Sequence, residues 1–296
     1  MISFVTFAYN EGEYIEETIK SVLCIQDDIE YILVDDNSTD NTWQIMQEYE
    51  KKDARIKAFK NPKKGKNSAV NYGMAQVTGD WVTILGGDDI FESSNYEVFL
   101  EECKKFDPNT KQVFIGGLLK RFSTSGRYAS ENGVTNAFPK KSERRANTIG
   151  FASKLLVEKV YPIPEQYPNE DSWTGMYYYY FCDHLVNIPQ ICLNYRIHDN
   201  NSINHNDTDF ERFSKALHVR MSQQMDFIEK YRDDLTEEQI GYLTNQYNAE
   251  KYRYEKRYFK LLTAKIAFSE KARMLLNSNK FFKKFKYTIT KYFQQK

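Results

Sequence analysis

Along the first 120 residues, short apolar runs alternate with segments of helical periodicity. The runs fall at 2–8, 30–35, 55–60, 80–85 and 112–118. Helix-like segments lie between them, near 13–24, 40–52, 67–77 and 92–106. Strands spaced by helices in this way predict βαβ units and a mostly parallel sheet flanked by helices, an α/β fold. The segment Asn37-Ser38-Thr39-Asp40 is rich in N-cap residues and marks the start of the second helix. Residues 119–150 are less regular and rich in Ser, Gly, Asn and Lys, which predicts a loop with short elements. Helices are expected over 152–160 and 171–182, with a strand–turn–strand over 185–196. From about 209 onward helical patterns dominate, so we expect an α/β domain over 1–205 and a helical region over 206–296. Between 251 and 276, Tyr258, Leu262 and Ile266 recur by steps of four, which predicts one amphipathic helix.

Two of the strand runs end in paired carboxylates. Asp35-Asp36 follows Tyr31–Val34, and Asp88-Asp89 follows Trp81–Gly87. Ligands of open α/β sheets bind at the C-terminal ends of strands. Adjacent carboxylates repel unless a cation or hydrogen-bond donors offset them. Two such pairs therefore point to a divalent metal and a phosphorylated or polyhydroxylated ligand. There is no G-x-G-x-x-G after the first strand and no G-x-x-x-x-G-K-[ST], which disfavours dinucleotide and P-loop chemistry.

The hydrophobic content of 41% supports a sizeable core, and no apolar stretch approaches the roughly 18–20 residues of a membrane span. No basic leader precedes the first strand, so a cytoplasmic protein is expected. Cys24, Cys103, Cys182 and Cys192 show no C-x-x-C spacing and read as small buried hydrophobes. The net charge is zero but lopsided: residues 1–210 carry 22 basic and 31 acidic side chains, residues 211–296 carry 19 and 10. Such asymmetry suggests different partners for the two parts.

Six segments occur in order. They are Phe7-Ala8-Tyr9-Asn10-Glu11, Val34-Asp35-Asp36-Asn37-Ser38-Thr39-Asp40, Gly65-Lys66-Asn67-Ser68-Ala69-Val70-Asn71, Gly86-Gly87-Asp88-Asp89, Asn169-Glu170-Asp171, and Tyr195-Arg196-Ile197-His198 running on to Ser202. Together they resemble the motifs of family 2 glycosyltransferases with the GT-A fold, and the resemblance spans about residues 2–203. It implies an inverting transfer of sugar from a nucleotide-diphosphate sugar, UDP-linked as a first guess, to a hydroxyl of a glycan or lipid-linked acceptor. Surface polysaccharide or lipopolysaccharide synthesis is the implied setting, with Mn²⁺ or Mg²⁺ as cofactor. A nucleotidyltransferase, the alternative on a related sheet, would want a basic Gly-rich loop where this chain has Tyr9-Asn10-Glu11. A non-catalytic sugar-nucleotide-binding relative is the other alternative.

Carried over residue by residue, the resemblance assigns Asp36 to the nucleotide base, with Asp35 the more structural of the pair. Phe7, Ala8 and Tyr9 would line base and ribose, though Tyr9 equally reads as core. Glu11 would contact the nucleotide or metal region, and Lys66 the diphosphate or the base-binding loop. Asp88 matches the position touching ribose or donor sugar, and Asp89 the metal ligand. His198 is a further metal ligand or a loop anchor. Where the fullest family pattern has an Asp, this chain has Gly86, so metal binding rests on fewer carboxylates. Asp171 matches the general base. Glu170 would support it or touch the acceptor, and Trp173 either stacks on an acceptor sugar or is core. The run Tyr177–Phe181 reads better as a buried helix than as a carbohydrate platform.

After Glu270 there are eight Lys or Arg and no acid, interleaved with Phe281, Phe282, Phe285 and Phe293. Residues 271–296 therefore suit an anionic membrane surface, with a tail packed on its own domain as the competing reading. Nucleic acid, the third reading, is not expected.

Overall fold

The computed structural model describes residues 1–123, 132–135, 146, 148–198 and 210–282. The chain forms two compact units, Met1–Asn201 and Ser202–Lys296. The first holds a nine-stranded sheet: β1 (Ile2–Ala8), β2 (Ile29–Asp35), β3 (Ile56–Lys60), β4 (Trp81–Gly86), β5 (Ile90–Phe91), β6 (Val113–Phe122), β7 (Gly133–Thr135), β8 (Gly150–Ser153) and β9 (His184–Arg196). The order is β3-β2-β1-β4-β8-β6-β9-β5, with β7 paired to β6. Its helices are α1 (Ile15–Leu23), α2 (Thr42–Lys52), α3 (Lys66–Met74), α4 (Tyr96–Cys103), α5 (Lys154–Val160) and α6 (Glu170–Phe181).

β1, β2, β3 and β4 pair in parallel, whereas β8 is antiparallel to both its neighbours. Phe4, Val5, Ile32 and Leu33 are fully buried on both faces of the sheet. That is why these strands read as continuous apolar runs rather than alternating ones. The chain goes from β1 outward to β2 and β3, then crosses to β4 on the other side. The strand order therefore switches beside β1, and the C-terminal ends of β1 and β4 meet at that switch point, where open α/β sheets bind their ligands.

Two expectations change in the structure. The strand–turn–strand over 185–196 is one long strand, β9. Its pairing with β6 jumps from Gly116–Asn187 to Leu118–Ile191, so Ile188, Pro189 and Gln190 form a bulge. A proline, lacking an N–H, is tolerated at such a bulge. The sequence shows the proline but not that the ladder resumes beyond it.

The second unit contains α7 (Phe210–Lys230), α8 (Glu237–Tyr254), α9 (Tyr258–Thr263) and α10 (Phe268–Leu276). Thr236 and Gln239 form a reciprocal capping box at the start of α8. The expected single helix over 251–276 is broken twice. Lys256 adopts a left-handed φ of 57°, which lets α9 fold back so that Leu261, fully buried, packs with Ala249 and Met274. Tertiary burial of Leu261 overrides the four-residue period. Arg253 and Glu250 are both about 1% exposed. The guanidinium donates to both Glu250 oxygens at 2.7 and 2.6 Å, to Ser214 Oγ and O at 3.0 Å, and to Asn277 O at 3.0 Å. One buried ion pair thus ties α8 to α7 and to the end of α10. Residues 199–202 of the last motif, and the basic tail beyond Phe282, lie outside the described residues.

Candidate active site

The turn after β1 is laced to the turn after β2. Asn10 sits at φ 55°, in the left-handed region that Asn tolerates, and its Oδ1 accepts from Thr39 N at 2.8 Å. The backbone N–H of Glu11 donates to Thr42 Oγ1 at 2.9 Å, and that of Gly12 to Asp40 Oδ2 at 2.9 Å. These bonds fix where the Glu11 side chain leaves the chain.

The two members of the first acidic pair bond to different segments. Asp35 is fully buried and accepts from Ser38 N at 3.2 and 3.3 Å, closing its own turn. Asp36 accepts from Asn61 Nδ2 at 2.6 Å and from Gly65 N at 2.9 and 3.0 Å. It therefore shapes the loop ahead of α3. A carboxylate offers about four lone-pair positions, so these bonds leave capacity for a further donor. Tyr9 is 44% exposed with Lys64 Nζ 5.5 Å from its ring centre, so it is not part of the core. Phe7 is half-buried beneath Lys66 Nζ at 5.0 Å, and Ala8 is buried.

Lys66 opens α3 and pairs with Glu170 at the start of α6, Nζ to Oε2 2.9 Å. Burial works against its charge, but Glu170, and then Asp171 and Asp88, outweigh it and hold the lysine above its ordinary pKa. Lys66 is thus the cation that Glu170, Asp171 and the Asp88 turn share. Asp171 stands in the first turn of α6, where the helix dipole favours a carboxylate, and accepts from Ser172 Oγ at 3.3 Å.

The turn after β4 carries the second acidic pair. A Cβ on Gly87 would lie 2.5 Å from Ala8 Cβ, so glycine lets this turn close on the end of β1. A Cβ on Gly86 would lie 2.7 Å from Asp88 Oδ1. The space that the family's usual Asp would enter is here bordered by the Asp88 carboxylate itself. Asp88 Oδ2 lies 2.9 Å from His198 Nε2. Oxygen or nitrogen atoms of Glu11, Asp88 and His198 all lie within 4.8 Å of one another, and among the described residues this group alone has the spacing to hold a metal ion. Burial first, then the charges of Asp88 and Asp40, push the Glu11 carboxyl up to about 8. A cation would relieve that repulsion. Two carboxylates and an imidazole form a donor set that suits Mn²⁺ and accepts Mg²⁺.

The expected ligand Asp89 is placed differently. It is 6% exposed, and its Oδ1 accepts from Arg196 N at 3.1 Å. Burial and Asp88 raise its pKa well above the ordinary carboxylate value. One Asp89 oxygen is thus engaged by the β9 backbone, and the group with metal-holding spacing contains Asp88 and Glu11 beside His198. Trp173 is also revised. At 1% exposure its ring is core, without a free face for a sugar. Tyr177 and Tyr178 are buried too, and Tyr178 stacks on Phe114 at 4.7 Å, as expected of a helix packed on the sheet.

Arg196 is the residue that motif matching left without a role. It is 3% exposed, its Nε donates to Asp88 O at 2.9 Å, and it pairs with Glu17 of α1. Tyr14 and Phe122 flank the guanidinium at 4.9 and 4.7 Å. It clamps the acidic turn to α1 from the end of β9. Its only signal in the sequence is its place two residues before His198.

The family model for glycosyl transferase family 2 matches residues 3–156. The chain is 31% identical over 130 residues to the glycosyltransferase GlyG of Streptococcus pneumoniae serotype 4, covering 43% of this chain and 42% of that protein. It is 31% identical over 188 residues to the GalNAc(5)-diNAcBac-PP-undecaprenol beta-1,3-glucosyltransferase of Campylobacter jejuni, covering 60% and 59%. The matches thus span about half the length of these curated relatives. Among solved structures, S. aureus TarS 1–349 in complex with UDP superposes with a TM-score of 0.57 at 17% identity, over 94% of this chain and 79% of that one. The mannosyltransferase PcManGT from Pyrobaculum calidifontis, in complex with GDP-Man and Mn²⁺, gives 0.54 at 15%, over 96% and 82%. These two likenesses show a shared GT-A-like fold. With the family model covering more than half of its length, the chain belongs to glycosyl transferase family 2.

Proposed function

We propose that the protein is an inverting, metal-dependent glycosyltransferase. It moves a sugar from a nucleoside-diphosphate sugar, UDP-linked first, to a hydroxyl of a glycan or lipid-linked acceptor in surface polysaccharide or lipopolysaccharide synthesis. The observation that carries this reading is the convergence of Glu11, Asp88 and His198 at the ends of β1, β4 and β9. TarS is solved with UDP and with UDP-GlcNAc, and the Campylobacter relative is named for an undecaprenol-linked substrate, which supports the donor and acceptor classes.

In this reading Asp36 takes the base, Phe7, Ala8 and Tyr9 border base and ribose, and Lys66 faces the diphosphate. Glu11, Asp88 and His198 would hold Mn²⁺ or Mg²⁺, which when bound offsets the charge of the departing diphosphate. Asp89 orients Asp88 through Arg196. Asp171 takes the proton from the acceptor hydroxyl as that oxygen attacks the anomeric carbon from the face opposite the diphosphate. Glu170, now paired with Lys66, borders the acceptor side.

The test is a thermal shift with UDP, with and without Mn²⁺, joined to a transfer assay. UDP should raise the melting temperature with Mn²⁺ present and much less with chelator, since Asp88 would otherwise face the diphosphate as a like charge. Equal shifts in both conditions would remove the metal from the mechanism. Nucleotide binding without transfer to any glycan or lipid-linked acceptor would favour the non-catalytic alternative, for which Gly86 is the one supporting departure.

A further inference from the structure

Among the described residues, the helical unit exposes a set of large apolar side chains. In the corner formed by α9 and the start of α10, Phe259 is 81% exposed, Leu262 53% and Phe268 85%. Phe259 and Leu262 are three residues apart on α9 and share a face. The opposite face supplies Leu261, which is fully buried against Ala249 and Met274. The corner is held in place: Lys271 Nζ donates to Leu262 O at 2.9 Å. Large exposed apolar side chains on a braced scaffold mark an interaction surface rather than a frayed end.

The charge around these side chains says what covers them. Residues 256–269 contain Lys256, Arg257, Lys260 and Lys265, all exposed, and no acid. Over 251–282 there are nine basic residues and two acidic ones. Residues 210–250 of the same unit carry five and eight. Positive charge is thus gathered on the segment that exposes the phenylalanines. A protein partner's apolar patch would not need this surplus, whereas an anionic bilayer surface takes aromatic rings at the headgroup level and lysines on the phosphates. Among the described residues no helix is long and apolar enough to cross a membrane, so such contact would be peripheral.

We propose that the α9–α10 corner, with Phe259, Leu262 and Phe268 inserted and Lys256, Lys260 and Lys265 on headgroups, docks the protein on anionic membrane surfaces. The inference does not depend on the transfer reaction. It places the docking element upstream of the basic tail, in a folded segment.

The test is co-sedimentation of the full chain with phosphatidylcholine vesicles that contain or lack phosphatidylglycerol, at low and physiological salt. The wild-type chain should bind the anionic vesicles and not the neutral ones. The double variant F259S/F268S should lose most of that binding. The triple variant K256Q/K260Q/K265Q should weaken it by roughly fivefold per lysine at low salt. Both variants should keep the wild-type melting temperature and UDP response, because these side chains are exposed. That response also reports the proposed function separately. Wild-type protein that ignores anionic vesicles overturns the proposal. So does undiminished binding by both variants, which would assign the membrane contact to residues beyond 282. A concentration-dependent dimer that F259S/F268S dissociates would assign the corner to a second copy of this chain and overturn it equally.

Discussion

Glu11 is held in a state that a metal should change. Its carboxyl is raised from the ordinary 4.5 to about 8 by burial and by Asp88 and Asp40. The folded, metal-free protein therefore binds a proton there that the unfolded chain has lost. Stability from this residue is complete below about pH 4.5 and declines as pH rises toward 8. A divalent cation binds the ionised form, so metal binding should release a proton and tighten as pH climbs toward 8. Calorimetry of Mn²⁺ binding at pH 7 in buffers of different ionisation enthalpy measures that proton. Glu11→Gln should abolish the release, and if wild type releases none the carboxyl is not a ligand. Asp171→Asn should leave UDP binding near normal and lower transfer by roughly 10²–10⁴-fold, the usual worth of a general base. Glu170→Gln should cost less, and the reverse order would exchange the two roles. Of the second acidic pair, Asp88→Asn should abolish the metal dependence. Asp89→Asn should weaken it less, because Asp89 acts through the Arg196 backbone.

At the scale of elements, the site depends on which pieces of chain are pinned together. Lys66 joins α3 to α6 through Glu170. Lys66→Ala should therefore raise the KM for the donor and also lower kcat, since Asp171 shares the turn that loses its counter-charge. A change in KM alone would confine Lys66 to donor binding. Gly86→Ala tests the β4 turn: its Cβ would lie 2.7 Å from Asp88 Oδ1. Displacing that carboxylate should weaken Mn²⁺ binding by about tenfold, toward the low end of what lost support around a metal ligand costs.

The same scale shows what could be read beforehand. The β1–β4 strands, the helices between them and the motif positions of Asp36, Lys66, Asp88, Asp171 and His198 are all legible, because both-face burial leaves unbroken apolar runs and the motifs sit at their ends. The bond between Asp89 Oδ1 and the Arg196 backbone is not. Neighbouring residues in a turn point in different directions, and the Arg196 N–H that claims Asp89 lies 107 residues away in the chain. Pro189 reads as a turn because a bulge depends on the partner strand β6. The corner after Lys256 was hidden because the apolar period continues through a break that only the burial of Leu261 explains.

For the whole molecule, stability in the helical unit centres on Arg253 and Glu250. Arg253→Met removes the guanidinium from the buried Glu250 carboxylate, leaving His218 Nδ1 3.6 Å away, and should cost about 3–5 kcal/mol. Replacing both residues with apolar side chains of similar size should cost less than either single change. Urea denaturation of the single and double variants gives the coupling, and additive losses would mean that the pair is not one unit.

The acidic turn after β4 is finished by side chains that arrive about 110 residues later, Arg196 and His198. The segment matched by the family model ends at residue 156, so it holds the parallel strands β1 to β4 but neither of those two residues. During synthesis the strands β1 to β4 can therefore be in place while the Glu11, Asp88 and His198 group is still incomplete. Loop closure over so long a separation is slow compared with local pairing. A nascent or refolding chain should pass through a stage that is ordered yet catalytically silent, and activity should appear only when the last strand of the sheet locks onto its neighbours.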